Sequence, residues 1–313
     1  MPAEVKYQCR EANRRRGPAA RARHGKALAD QGGNLAHPVF RTSILTALVL
    51  AWGVFIVPAY SQSDTGPAKA SPESPRLLKT DRAAGLELWQ TALGQLWIPN
   101  PGYYVIKHLE WEGTVEKVYD HPLAHVRRDD VVIDCGAHIG GFTRLALQAG
   151  ARLVVAIEPE PANLRAFRRN VEQELKSSRV ILIPKGVWET TGKLSLHIST
   201  VGDSHSIIFN QKGPGDEEIE VTTLDALAGE LKLGKVDFIK MDIEGSEANA
   251  LRGARQVIER WKPRMAVSSY HVKGDPAVLC ALVWSIRSDY LLATKDLIQA
   301  PHGATVPKVL FFY

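Results

Sequence analysis

Val131-Val132-Ile133-Asp134-Cys135-Gly136-Ala137-His138-Ile139-Gly140-Gly141-Phe142-Thr143 is the stretch that decides the fold of this chain. A short strand-forming run enters a glycine-rich turn and continues into a helix. A second apolar run, Leu153-Val154-Val155-Ala156-Ile157, follows and ends at Glu158. Open α/β sheets hold nucleosides with this order of strand, glycine turn, helix, and strand ending in a carboxylate. The glycines let backbone approach the ligand, and a carboxylate roughly 20 residues on takes the ribose hydroxyls. An ordinary tight βα turn carries the same glycines without a ligand, so the reading leans on Glu158 standing in register.

The same loop discriminates between cofactors. A dinucleotide site needs G-x-G-x-x-G so that helix amides can hold a pyrophosphate. Here Asp134 replaces the first glycine, giving D-x-G-x-x-x-G through Gly136 and Gly140. A carboxylate there repels a pyrophosphate and attracts a cation. S-adenosylmethionine, with an ammonium, a sulfonium and no phosphate, fits that requirement. Asp134, Gly136, Gly140 and Glu158 are therefore the candidate cofactor residues, with His138 lining the loop.

A second strand-turn-helix passage reads Val236-Asp237-Phe238-Ile239-Lys240-Met241-Asp242-Ile243-Glu244-Gly245-Ser246-Glu247. It gathers Asp242, Glu244 and Glu247 at the carboxyl end of a strand, the edge where open α/β sheets bind ligands. Carboxylates clustered there can hold a metal, bind a substrate hydroxyl or act as a base. Glu247 has a plainer reading as a first-turn residue favoured by the helix dipole.

With these motifs in hand, the chain resembles the FkbM-type S-adenosylmethionine-dependent methyltransferases. The matching pieces are V-I-D-C-G-A-H-I-G at Val132 to Gly140, A-I-E-P-E-P-A-N at Ala156 to Asn163, and F-I-K-M-D-I-E-G-S-E at Phe238 to Glu247. Val221-Thr222-Thr223-Leu224-Asp225 is similar to the family's threonine-threonine-leucine-aspartate element. The resemblance covers roughly Leu93 to Tyr313, and its last acidic motif is the most specific part. It implies a class I methyltransferase fold and O-methylation of a hydroxyl. The place after the fifth core strand, where members vary on the substrate side, reads Ala266-Val267-Ser268-Ser269-Tyr270-His271 here. The resemblance therefore does not name the acceptor.

Composition permits this and narrows the partners. A chain of 313 residues, 45% hydrophobic, has room for one α/β domain and an appendage. The formal charge of +5 is concentrated at the start. Nine bases against three acids up to Thr42 give +6, which leaves the remainder at −1. The catalytic part has no basic stripe, so nucleic acid is not the expected substrate. Cys9, Cys135 and Cys280 lack the spacing of a disulfide framework or a zinc site, and no metal is expected.

Ser43 to Ala59 carries no charge, a length between a signal-peptide core and a short membrane span. Small residues in Ala59-Tyr60-Ser61 suit a cleavage site, and the basic flank favours a cytoplasmic amino terminus. The expected organisation is a basic tail over residues 1–42 and a signal or single-pass anchor over 43–60. A linker over 61–84 and the methyltransferase domain over 85–313 follow. A buried core helix is the plainer reading of the apolar run. If translation starts downstream of it, the enzyme is cytoplasmic. An exported domain would be separated from cytosolic S-adenosylmethionine, so the anchor runs the other way, cofactor is met elsewhere, or the domain no longer methylates.

Periodicity places core strands near Val131–Cys135, Leu153–Ile157, Val180–Ile183, Val236–Met241, Arg264–Ser268 and Val309–Tyr313. Leu164, Phe167 and Val171 form the buried stripe of a helix whose Arg165, Arg168 and Arg169 face solvent. Alternating runs at Leu194–Ile198, Ser206–Phe209 and Ile219–Val221 predict an antiparallel insertion. An aromatic-rich lead-in from Gly85 to Val126 either covers the cofactor mouth or packs as a flap. The expected architecture is thus a doubly wound, mostly parallel α/β sheet, Rossmann-like. Asp242, Glu244, His205 and His271, in that order, are the candidate catalytic residues toward a small-molecule, lipid or glycan hydroxyl. A nicotinamide oxidoreductase, which needs the glycine Asp134 replaces, and a cofactor-binding module without catalysis are the competing readings.

Overall fold

The structure, a computed structural model, describes residues 75–102, 117–197, 206–208 and 217–313. The apolar run at 43–60, the basic tail and His205 lie outside the described residues. Within them, β1 (Arg76–Asp81), β2 (Leu86–Thr91) and β3 (Gly94–Pro99) form an antiparallel meander. β1 and the turn after it occupy residues expected to be linker. β1 (RLLKTD) buries none of its residues and has no apolar alternation, so only its pairing with β2 marks it as a strand. β2 and β3 do carry a core face. Leu86, Leu96 and Ile98 bury themselves against Ile139 and Ala166, docking the meander on the glycine loop and the helix beyond it.

The central sheet then builds outward from β4 (Val131–Cys135). α1 (Gly141–Gln148) leads to β5 (Leu153–Ile157). α2 (Pro161–Asn170) and α3 (Glu172–Lys176) lead to β6 (Val180–Ile183). An insertion of β7 (Gly186–Val187), β8 (Gly192–His197), β9 (Ser206–Ile208) and β10 (Glu217–Thr222) follows, and then α4 (Leu224–Glu230) returns to the sheet. β11 (Phe238–Met241), α5 (Glu247–Arg252), α6 (Arg255–Trp261), β12 (Arg264–Ser268) and α7 (Asp275–Ile286) come next. β13 (Leu292–Gln299) and β14 (Thr305–Phe312) complete it.

Strand order is β13-β14-β12-β11-β4-β5-β6, with β12 through β6 parallel and β13 and β14 antiparallel. All five β4 residues are buried, as a parallel strand covered on both faces requires. Ile133 and Cys135 point to the layer holding α4 to α7. Val132 joins Ala146, Phe167 and Val171 of the opposite layer. The expected doubly wound, mostly parallel α/β architecture is thereby present. The winding reverses between β4 and β11, and both loops of interest leave the carboxyl ends of those two strands.

Three local readings are corrected. The fourth core strand begins at Phe238 and not Val236, because the Asp237 carboxylate accepts the Val131 amide and takes a place in the ladder (2.8 Å). β13 was not foreseen: it is an edge strand, mixed in polarity and interrupted by Asp296 at φ 53°. Arg169 is not merely solvated. It pairs with Asp81 at 2.8 Å and lies over the Trp97 ring, tying α2 to the meander.

Candidate active site

The glycine loop is held by its neighbours before any ligand arrives. Gly136 and Ala137 both donate to the Ile157 carbonyl at 3.0 Å, and Asn170 donates to the Ile139 and Trp97 carbonyls at 2.8 Å. The two glycines serve close packing here, in addition to any approach to a ligand. A Cβ on Gly136, at φ 75°, would stand 1.9 Å from the Asp242 carbonyl oxygen, so the loop and the end of β11 touch backbone to backbone. A Cβ on Gly140, at φ 95°, would meet the Phe167 ring at 3.2 Å. His138 is left-handed at φ 51°, an uncommon conformation for a residue with a side chain, and this turns its amide toward β5.

That amide reaches Glu158. The carboxylate is 5% exposed and accepts from His138 N (2.8 Å), Glu160 N (3.0 Å) and Asn163 Nδ2 (3.2 Å). Burial raises its pKa, and although these hydrogen bonds work against the rise, the carboxyl is pushed up to about 7. A carboxylate has about four lone-pair sites. Three are taken, which leaves capacity for a ligand hydroxyl at the strand end.

Asp134 behaves differently from the expectation placed on it. It is fully buried, directly opposite Lys240 in the β4–β11 register, and the two form an ion pair at 3.4 Å. Thr143 donates its hydroxyl to the same carboxylate at 2.7 Å. Lys240 also donates to the Gly136 and Cys135 carbonyls at 2.7 and 3.2 Å. The cation that Asp134 attracts is therefore the chain's own lysine, and the pair sets the shape of the loop from beneath. A lysine centred in the apolar run Phe238–Met241 was the available sequence signal, passed over in favour of the acidic residues after it.

Across the reversal point, Asp242, Glu244 and His271 converge. His271 Nε2 lies 3.4 Å from Asp242 Oδ1 and 3.4 Å from Glu244 Oε2, while Nδ1 hydrogen-bonds Glu247 Oε1 at 3.0 Å. Glu247 is 1% exposed and also accepts the Ile243 and Gly245 amides at 3.0 Å. It thus combines the first-turn position with a part in the cluster. Glu244 at φ 53° and Gly245 at φ 95° swing the loop back toward His271. Tyr119, which sequence reasoning missed, donates its hydroxyl to Asp242 Oδ2 and borders a cavity of about 280 Å³ lined also by Val118, Phe142 and Leu145.

Charge settles the protonation of the cluster. Burial opposes ionisation of Asp242, but the charges of Lys240 and His271 and the Tyr119 hydrogen bond outweigh it and hold the carboxyl below its usual range. Burial alone would lower His271. The Glu247 hydrogen bond and the charges of Glu247, Asp242 and Glu244 push it up to about 9 instead. At neutral pH Asp242 is an anion and His271 a cation, so His271 holds a proton and Asp242 is the group able to accept one.

Residues 134–287 match the family model described as the Methyltransferase FkbM domain. The chain is similar to Methyltransferase 1 of Beauveria bassiana (strain ARSEF 2860), 26% identical over 203 residues, covering 58% of this chain and 80% of that protein. Among solved structures it is similar to Methyltransferase FkbM from Methylobacillus flagellatus KT, with 26% identity and a TM-score of 0.46. That match covers 68% of this chain and 52% of the other, so this chain spans about half the length of that relative. A Streptococcus mutans protein crystallised in complex with SAH matches at 16% identity and a TM-score of 0.38, over 60% of this chain and 89% of that one.

Proposed function

We propose that the chain, whose residues 134–287 match the FkbM methyltransferase model, transfers the methyl group of S-adenosylmethionine to a hydroxyl oxygen of a small-molecule or glycan acceptor. The observation that carries this reading is the division at the reversal point. A buried carboxylate with spare acceptor capacity, Glu158, closes the cofactor loop on one side. An ionised carboxylate, Asp242, stands on the other, in backbone contact with that loop through Gly136.

S-adenosylmethionine, when bound, supplies an electrophilic methyl carbon whose transfer returns the carbon–sulfur electron pair to sulfur and releases the hydroxyl proton of the acceptor. Glu158 binds the ribose hydroxyls and fixes the cofactor against the strand end. The Asp134–Lys240 pair keeps the glycine loop in shape beneath it. Asp242 orients the acceptor hydroxyl and takes its proton, while Tyr119 and His271 hold the carboxylate in place. Much of the catalysis is positioning, worth several kcal/mol when reacting groups are held in line.

The test is a turnover assay. Release of S-adenosylhomocysteine is measured from the full chain and S-adenosylmethionine over sugars, lipids and small alcohols, with NAD binding measured in parallel. Turnover with at least one hydroxyl acceptor is the expected result. Binding without turnover on any acceptor class would make the domain a cofactor-binding module, and affinity for NAD alone would remove the reading.

Residues 43–60 are proposed to bring the chain to a membrane, on the strength of their charge-free composition behind a basic flank. Among the described residues no helix is long and apolar enough to cross one.

A further inference from the structure

The cluster at the end of β11 has a geometry that hydroxyl recognition does not require. His271 is 7% exposed at its side chain and Asp242 19%. Yet His271 Nε2 and Asp242 Oδ1 are buried atoms without a hydrogen-bond partner. Both atoms face the same small volume, together with Glu244 Oε2, and the three ligand atoms lie within 4.8 Å of one another. His271 Nδ1 is meanwhile occupied by Glu247, which also accepts two loop amides. A carboxylate that fixes one ring nitrogen and leaves the other exposed to further carboxylates is how proteins orient a histidine for metal ligation.

We propose that Asp242, Glu244 and His271 bind a divalent first-row cation, which displaces the proton from His271 Nε2 to solvent, with Glu247 as the group that orients His271. Zinc-type ligand distances are roughly 2.0–2.2 Å for imidazole nitrogen and carboxylate oxygen, so donor atoms 3.4 Å apart subtend about 108° at a shared cation, close to tetrahedral. One nitrogen and two carboxylate oxygens suit the borderline ion Zn2+ better than Mg2+ or Ca2+, which prefer an all-oxygen shell, and the two carboxylates also admit Mn2+. Three protein ligands leave at least one position open, as catalytic sites do and structural sites do not. A divalent ion also answers the local charge, since Asp242, Glu244 and Glu247 face His271 while Lys240 is paired with Asp134. Cation binding stands on these residues alone. Its use, holding the acceptor oxygen at the open position, rests on the methyltransferase reading above.

The experiment titrates the metal-stripped full chain with Mn2+, following the free ion by electron paramagnetic resonance, and then displaces it with Zn2+. One Mn2+ per chain is expected. Glu244→Gln and His271→Gln should each weaken binding by more than tenfold, and Glu247→Gln by roughly 10- to 100-fold through the histidine it orients. S-adenosylhomocysteine binding, measured on the same samples, reports whether each variant keeps its fold and its cofactor side. Variants that bind S-adenosylhomocysteine and have lost Mn2+ support the site. Mn2+ and Zn2+ binding to the wild type no tighter than to Glu244→Gln overturns it, whichever variants fold. Full turnover by the metal-stripped enzyme would overturn the role at the acceptor oxygen while leaving the methyltransferase reading intact.

Discussion

Glu158 ties cofactor affinity to pH in a way that can be worked out beforehand. Its carboxyl is buried, and burial, opposed by hydrogen bonds from Glu160, His138 and Asn163, pushes it up to about 7. Ribose hydroxyls donate to the carboxylate form, so binding has to draw on the ionised fraction. At pH 5, about two units below the pKa, roughly one chain in 100 is ionised, a penalty of about 2.7 kcal/mol. Calorimetric titration with S-adenosylhomocysteine should show Kd falling about tenfold per pH unit up to pH 7 and levelling above it. Glu158→Gln should bind more weakly by roughly 1–3 kcal/mol, having left donors unpaired, and its affinity should not follow that slope. Stability runs the opposite way. The folded chain holds this proton more tightly than the unfolded chain, so the contribution is complete below about pH 4.5 and is lost as pH rises through 7. Wild-type affinity that is flat from pH 5 to 9, or an unchanged slope in Glu158→Gln, would refute the reasoning.

Asp242→Asn should keep S-adenosylhomocysteine affinity nearly intact while methyl transfer falls ~100- to 10,000-fold, the usual loss when a positioned base is removed. Equal losses of binding and turnover would move Asp242 to the cofactor side. Gly136→Ala puts a methyl 1.9 Å from the Asp242 carbonyl oxygen and a side chain at φ 75°, so thermal or denaturant unfolding should show a loss of about 2–5 kcal/mol. A melting temperature equal to the wild type's would show the loop is not packed as described. Asn170→Ala removes bonds to Trp97 N, Trp97 O and Ile139 O and should cost about 2–4 kcal/mol, checked by urea unfolding. Deleting residues up to Ser61 should move the protein from the membrane fraction to the soluble one, and a full-length chain found wholly in soluble cytosol would end the targeting proposal.

What could be read in the sequence follows from where the side chains sit. Strands buried on both faces announce themselves as mainly apolar runs, so β4, β5 and β12 were placed to the residue, as was the edge strand β6, whose four residues are all apolar. The helix stripe of Leu164, Phe167 and Val171 was equally legible because all three are buried. The edge elements of mixed polarity gave no such signal. β1 buries neither of its faces, and β13 pairs on one side only. In the site, adjacency in sequence exposed Asp242 and Glu244. Tyr119 comes from 123 residues away and His271 from beyond the next strand, so no local spacing joins either of them to the cluster.

The two acidic positions that lead the motifs also part company once their neighbours are known. Asp134 and Asp242 both stand near the carboxyl ends of parallel strands and within reach of Lys240 charge. The register of β4 against β11 places Lys240 opposite Asp134, so one carboxylate is neutralised inside the sheet and spends its charge on loop geometry. Asp242 lies one residue past the end of β11, beyond the ladder, where its partners are Tyr119 and His271 at the open edge. A two-residue step from Lys240 to Asp242 thus separates a structural ion pair from an anion available to a ligand. Moving the lysine by one position would face it to the other side of the sheet and leave Asp134 buried without a counter-charge, a cost of several kcal/mol. The spacing of Lys240 and Asp242 therefore has to be kept for the loop and the acceptor side to exist together.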